Sequence, residues 1–307
     1  KGILMDIRAL KYFVKVADEK SFLRASEKLF TTQPNVSRTI KQLEEELNVQ
    51  LFIRHGKGVS LSQAGISLLK RAKVIVELTD KAKAELASET IPQISIAAGE
   101  TTAIGPLGTA LKQLRKQYPQ ALLHIYSGNE EEVCTKIDDR TSDLGIIFDS
   151  KRLHSYDYYR LPRLEKWALV MRNDAPLAKE KFITPEMIKG LPLILSRTLL
   201  TVNMLPGWLG YGIDQLNIAA TFNLATTPKF LIPTTEYYML TFGDIVVGPE
   251  EKNLTAVPLK PPLESPMFLI WSKELIFNKP LKLFLDCLVK TFQEQAKETQ
   301  EKPFSVG

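Results

Sequence analysis

Apolar residues recur at two periods along this chain, and the switch between them divides it. From residue 7 the period is helical: Ile7, Leu10, Phe13, Val14 and Ala17 share one face of IRALKYFVKVADE. Ser21 is placed to cap a second helix, SFLRASEKLF, which turns Phe22, Ala25 and Leu29 inward. A third helix follows, with Thr32 at its N-cap and Pro34 in its first turn. Its apolar stripe is Val36, Ile40, Leu43 and Leu47; at about 100° per residue, Ser37, Arg38 and Lys41 fall opposite. Basic and small polar groups crowd its first half, and Glu44, Glu45 and Glu46 close it. Two short apolar runs around His55-Gly56-Lys57-Gly58 predict a β-hairpin. Helix, helix, tight turn, helix and hairpin make a winged helix-turn-helix, placed at residues 5–62.

Residues 63–90 are read as a linker helix. Leu68, Ala72, Ile75, Thr79, Ala82 and Leu86 alternate spacings of four and three, the ~3.5-residue repeat of a helix–helix seam. Lys70, Arg71, Lys73, Lys81 and Lys83 flank it. The narrow stripe predicts a dimerisation helix; packing on the chain's own core is the alternative.

From Pro92 the texture becomes α/β. ISIAA, ALLHIYS (121–127) and DLGIIFD (143–149) are expected strands, separated by helices GPLGTALKQLRKQY and NEEEVCTKIDD. A second set comprises WALVMR, PLIL, LNIAATF and DIVVG; MFLIWS and a final helix, KPLKLFLDCLVKTFQEQAK, resume the first. The whole, residues 91–295, is expected to form two lobes: lobe I about 91–163 and 265–295, lobe II about 164–264. A cleft is then expected at the carboxyl ends of the parallel strands.

Charge sharpens this division. The net charge is +5. Residues 1–62 hold 11 Lys and Arg against 7 Asp and Glu, and the remainder 29 against 28. A basic module on a near-neutral body points to a polyanionic partner for the module alone. Residues 1–4 read as a remnant ahead of a start at Met5, with no secretory h-region, and no apolar run reaches the ~18 residues of a membrane helix. Cys134 and Cys287 lie far apart without a CxxC, so both read as small hydrophobes in a cytoplasmic protein. No cofactor or metal is expected.

The segment MDIRALKYFVKVADEKSFLRASEKLFTTQPNVSRTIKQLEEELNVQLFIRHGKGVSLSQAG, residues 5–65, resembles the LysR-type transcriptional regulators. SFLRASEKL, TQPNVSRTIKQLE, LFIR and LSQAG stand in the family's order and spacing. KQYPQALLHIYSGN, SDLGIIF and NDAPLA are similar, more loosely, to its periplasmic-binding-protein-like effector domain, and residues 198–245 depart from the usual pattern. The resemblance implies an α/β protein with an N-terminal winged helix-turn-helix, a long linker helix and a two-lobed effector domain. It implies a non-enzymatic regulator of transcription, a homodimer or homotetramer binding double-stranded DNA. Thr32, Gln33, Pro34, Asn35, Ser37, Arg38 and Lys41 would meet the major groove, with Arg54 and Lys57 beside the minor groove or phosphates. Thr101, Thr102, Asn129, Phe148, Ser196 and Arg197 fall where similar members hold a small-molecule effector. Arg197 favours a carboxylate, a small organic acid or amino acid, unless it pairs with one of Glu130 to Glu132. Thr101, Asn129 and Ser196 are equally read as helix caps. Effector binding would reorient subunits and change DNA bending.

Other classes find less support in the residues. His55, His124 and His154 are scattered and form no metal or triad spacing. GWLGYG (207–212) lacks a preceding strand in the right place and reads as a loop rather than a dinucleotide fingerprint. A solute-binding or ligand-sensing α/β protein, its basic module serving a protein partner, is the remaining alternative.

Overall fold

The computed structural model describes residues 5–55, 58–87, 91–148, 150–201, 204–248 and 250–301. The chain divides into two compact units, Lys1–Glu89 and Thr90–Gly307. The first contains α1 (Ile7–Glu19), α2 (Phe22–Lys28), α3 (Gln33–Leu47), the antiparallel hairpin of β1 (Phe52–His55) and β2 (Gly58–Leu61), and α4 (Gln63–Ala87). Helix starts follow from local chemistry. The Asp6 carboxylate accepts from the Ala9 amide at 2.6 Å, and the Ser21 hydroxyl from the Arg24 amide at 3.3 Å.

Phe13 and Phe22 both pack on Phe52, with ring centroids 5.3 and 5.7 Å away, above Val36, Ile40, Leu43 and Leu51. Burying one such phenyl stabilises the unit by roughly 1.5–3 kcal/mol. The α1 face differs from its expected membership. Ile7, at the helix's first position, is 42% exposed, whereas Val16 is fully buried. Gly65, near the start of α4, is required by contact: a Cβ there would meet the Leu51 carbonyl oxygen at 2.2 Å.

The second unit contains β3 (Gln93–Ala98), α5 (Gly105–Gln117), β4 (Leu122–Ser127), α6 (Glu130–Asp138), β5 (Leu144–Phe148), β6 (Tyr156–Arg172), β7 (Pro192–Ser196), α7 (Arg197–Thr201), α8 (Met204–Leu209), β8 (Asn217–Phe222), β9 (Tyr238–Phe242), α9 (Gly243–Val246), β10 (Leu254–Pro258), β11 (Glu264–Ser272) and α10 (Lys279–Glu301). The sheet order is β4-β3-β5-β11-β6-β9-β7-β8, with β10 also on β6. Strands β3, β4 and β5 are mutually parallel in lobe I, and β7, β8 and β9 in lobe II.

The near-continuous apolar runs of β5, β7 and β9 reflect burial on both faces, whereas the edge strand β4 is mostly exposed and β8 only partly buried. In lobe I, Ile94, Ile96, Leu144, Ile146, Met267 and Leu269 face α5 and α10, while Ala97, Ile147 and Ile270 pack with Val133, Cys134 and Ile137 of α6. Lobe II repeats the alternation: Leu193 and Leu195 join one core, Ile194 the other.

Three segments depart from the sequence expectation. WALVMR is the end of one 17-residue strand, β6, which pairs with β11 through Lys166 and with β9 from Trp167, so a single strand spans both lobes. DIVVG is not a strand: β9 is the fully buried YMLTF before it, and Gly243–Val246 turn as helix α9. Within GWLGYG, Trp208 lies in α8 and donates to the Pro261 carbonyl at 2.7 Å; Gly210, with φ 73°, follows the helix.

Candidate nucleic-acid interface and ligand cleft

Helix α3 buries Val36, Ile40 and Leu43 and turns its polar side outward. Thr32, Gln33, Pro34, Arg38 and Lys41 are exposed; Asn35 and Ser37 are half-buried. Thr32 occupies the N-cap with extended backbone, but its hydroxyl makes no capping bond. The Asn35 amide instead donates to the Thr31 hydroxyl at 2.9 Å, which fixes that side chain at the helix start. Arg38 makes no hydrogen bond or ion pair among the described residues. Lys41 lies 3.6 Å from Glu45, an exposed i,i+4 pair that holds it only weakly.

The hairpin is bound to this helix. Arg54 donates to the Ser37 hydroxyl at 3.2 Å and lies over the Phe22 ring, 5.0 Å from its centroid. Lys57 lies outside the described residues. The closing glutamates also acquire a reason. Glu44 accepts from the Leu51 and Phe52 amides at 2.7 and 3.1 Å, tying the end of α3 to β1.

The seam of α4 is partly internal. Ala72 is fully buried in the unit's own core, with Leu68 and Ile75 packed against it. Lys73 pairs with Asp18 at 2.9 Å, and Lys11 with Asp80, so α1 is the helix that this face meets. Ala72 thus faces the chain's own core, whereas Leu68 and Ile75 are only half-buried beside it. Farther along, the Thr79 hydroxyl donates to the Ile75 carbonyl at 2.8 Å and Ala82 is exposed; the Leu86 side chain lies outside the described residues.

In the second unit the carboxyl ends of both parallel sets line a cleft of about 940 Å³. Gly99 and Glu100 follow β3, Gly128 and Asn129 follow β4, and Phe148 ends β5. From lobe II come Ser196 at the end of β7 and Arg197 at the start of α7, Phe222 to Ala225 at the end of β8, and Thr241 and Phe242 of β9. Phe242 sits between Phe148 and Trp167, with centroids 4.8 and 4.4 Å away, forming an aromatic wall.

Polar groups in and beside the cleft are mostly engaged. Asn129 caps α6: its side chain accepts from the Glu132 amide at 3.0 Å, and Glu132 accepts from the Asn129 amide at 2.7 Å. Thr101 and Thr102 do not line the cleft. The Thr101 hydroxyl donates to Glu165, which is 2% exposed, and accepts from the Ala103 amide at 3.0 Å. Thr102 is held by Glu165 and Arg163. Arg152 is paired with Asp138, whose hydrogen bond raises the guanidinium further above its ordinary range. Arg197 differs: it is exposed on the cleft wall and pairs with none of Glu130 to Glu132 among the described residues. Sequence reasoning missed Glu100, Trp167 and Phe242. Their positions depend on which strand ends converge, a tertiary property with no local signature.

Residues 7–66 match the model of the bacterial regulatory helix-turn-helix protein, lysR family, and residues 87–293 match that of the LysR substrate binding domain. This chain belongs to the LysR family. It is a DNA-binding transcription regulator with an effector-binding domain, in a family of regulators rather than enzymes. The Hca operon transcriptional activator HcaR of Escherichia coli (strain K12) is 29% identical over 83% of this chain and 90% of its own length. The HTH-type transcriptional regulator CysL of Bacillus subtilis (strain 168) is 38% identical over 45% of this chain and 47% of its own. The crystal structure of CbnR, a LysR family transcriptional regulator, shares the fold with TM-score 0.71 at 20% identity, covering 94% of this chain and 99% of that one. Full-length CbnR complexed with its target DNA gives 0.68 at 19%, covering 94% and 100%. Among the described residues, no helix is long and apolar enough to cross a membrane.

Proposed function

We propose that α3 of this LysR-family regulator reads the major groove of duplex DNA with Gln33, Pro34, Asn35, Ser37 and Arg38. Thr32 and Lys41 then meet the backbone, and Arg54 and Lys57 flank it from the hairpin. The observation that carries this reading is Arg38, an exposed guanidinium on the polar face of α3 with no partner among the described residues. Such a group matches guanine edges or phosphates. Two copies on a two-fold site require an oligomer, a homodimer or homotetramer working in the cytoplasm. Because Ala72 is internal, the contact is assigned to α4 beyond it, where Thr79 and Ala82 continue the seam. The test is a gel-shift titration of the full chain on its own upstream DNA at several salt concentrations. Affinity falling linearly in log–log form, with a slope reporting several displaced counterions, is expected. A chain indifferent to duplex DNA at low salt would end the reading.

The cleft is proposed as the effector site, with Asn129, Phe148, Ser196 and Arg197 on its wall, joined by Trp167 and Phe242. Thr101 and Thr102 act one step back, through Glu165. An aromatic wall beside a guanidinium with no ion-pair partner among the described residues suits a small organic acid with a flat apolar body. A thermal-shift survey of carboxylic acids and their neutral amides checks it. Stabilisation by an acid and not by its amide, lost in Arg197→Ala, is the expected result. Equal stabilisation of the variant would remove Arg197 from the site.

A further inference from the structure

Glu100 follows β3 in lobe I, yet three donors of lobe II hold its carboxylate. Oε2 accepts from the Ala225 amide and, at 3.2 Å, from the Thr226 amide; Oε1 accepts from the Thr226 hydroxyl. Successive amides converging on one oxygen, with a hydroxyl beside them, form a concavity suited to a carboxylate. Ala225 is 6% exposed and packs in the lobe II core, so its amide is costly to leave without an acceptor. Glu100 and Ala225 both line the cleft, as do Arg197 and the Phe148–Phe242–Trp167 wall.

We propose that the Ala225–Thr226 turn is a carboxylate seat, which Glu100 fills while the cleft is empty and which an entering ligand carboxylate takes over, releasing the tie between lobes. This rests on the cleft being the effector site. Glu100 is tethered, so its effective concentration at the seat is high, and a free carboxylate displaces it only with additional contacts. Arg197 and the aromatic wall supply such contacts. A ligand that binds only after Glu100 has left shifts the lobes toward the released state by its differential affinity. The donors remain satisfied in both states.

Hydrogen exchange of the segment 222–228 in the full-length protein tests the seat, with acetate as the probe and acetamide as its neutral control at constant ionic strength. Glu100→Ala should exchange about tenfold faster there than the parent chain. Acetate in the tens-of-millimolar range should restore protection to the variant, acetamide should not, and the parent chain should not respond. Should Glu100→Ala not fold, Glu100→Gln carries the comparison, because it loses one acceptor oxygen and should exchange about threefold faster. Unchanged exchange in the variant that folds, or rescue by acetamide as good as by acetate, overturns the seat. Failure of the cleft reading looks different: no organic acid stabilises the parent chain, yet acetate still rescues the variant.

Discussion

The outer face of α3 and the lining of the cleft both collect hydrogen-bonding side chains, but the two regions treat several of them differently. On α3, Gln33 and Arg38 are exposed and have no partners among the described residues, and the Thr32 hydroxyl makes no capping bond. In and around the cleft, Thr101 binds Glu165, Asn129 binds Glu132, and Glu100 binds Ala225 and Thr226. The difference follows from solvation. A convex surface is satisfied by water until its partner arrives, so readiness to bind costs little there. A half-enclosed cleft hydrates its polar groups poorly, and each unpaired one costs about 1–3 kcal/mol, so the chain supplies the partners itself. Substitutions on the two surfaces should therefore fail in different assays.

The largest effect on stability is expected at Glu165. Its carboxylate is buried, receives the Thr101 and Thr102 hydroxyls, and lies 4.0 Å from the Arg163 guanidinium, on the strand that spans both lobes. Glu165→Ala leaves the Thr101 hydroxyl only the weak Met267 sulfur acceptor at 3.3 Å and should destabilise the second unit by about 1–3 kcal/mol, read as a fall in urea midpoint. Arg38→Ala should leave that midpoint unmoved. Equal losses in the two variants would break the comparison.

How far the sequence revealed each surface follows the same division. The α3 face was readable because a helix's own periodicity decides which side chains point out: Val36, Ile40 and Leu43 are inside and Arg38 outside. Strands such as β5 and β7 were likewise readable, since burial on two faces leaves an apolar run. What was hidden depends on contacts between distant segments. Thr101 and Thr102 follow a strand as expected, yet a carboxylate about sixty positions later on β6 turns them aside. Leu68, Ala72 and Ile75 form a regular seam, but periodicity cannot tell whether α1 or a second chain covers it. Glu100 sits beside the predicted pair, and nothing local distinguishes a carboxylate held by lobe II from a solvated one.

On α3 the loss should appear as affinity. Arg38→Ala is expected to weaken specific operator binding by about 1–3 kcal/mol, with discrimination relaxed at one base position. Lys41→Ala should weaken all sequences alike and lower the salt slope by about one counterion, because a phosphate contact carries no base information. Competition titrations on operator and scrambled duplexes separate these outcomes. Loss of discrimination in Lys41→Ala would move base reading further along the helix than its N-terminal half.

The smallest expected effect is the sharpest test, because it compares two side chains with the same formal position. Thr32 and Asn129 both stand at helix N-caps with extended backbone. Asn129 caps reciprocally with Glu132, so Asn129→Ala should destabilise its unit by about 1 kcal/mol. The Thr32 hydroxyl makes no capping bond, so Thr32→Ala should change stability by less than about 0.5 kcal/mol. If that hydroxyl serves the DNA backbone, the same variant should nevertheless lose operator affinity. Thermal unfolding and operator titration of both variants decide the matter. A Thr32→Ala protein that loses stability instead of affinity would make this hydroxyl a structural cap and leave α3 one contact fewer.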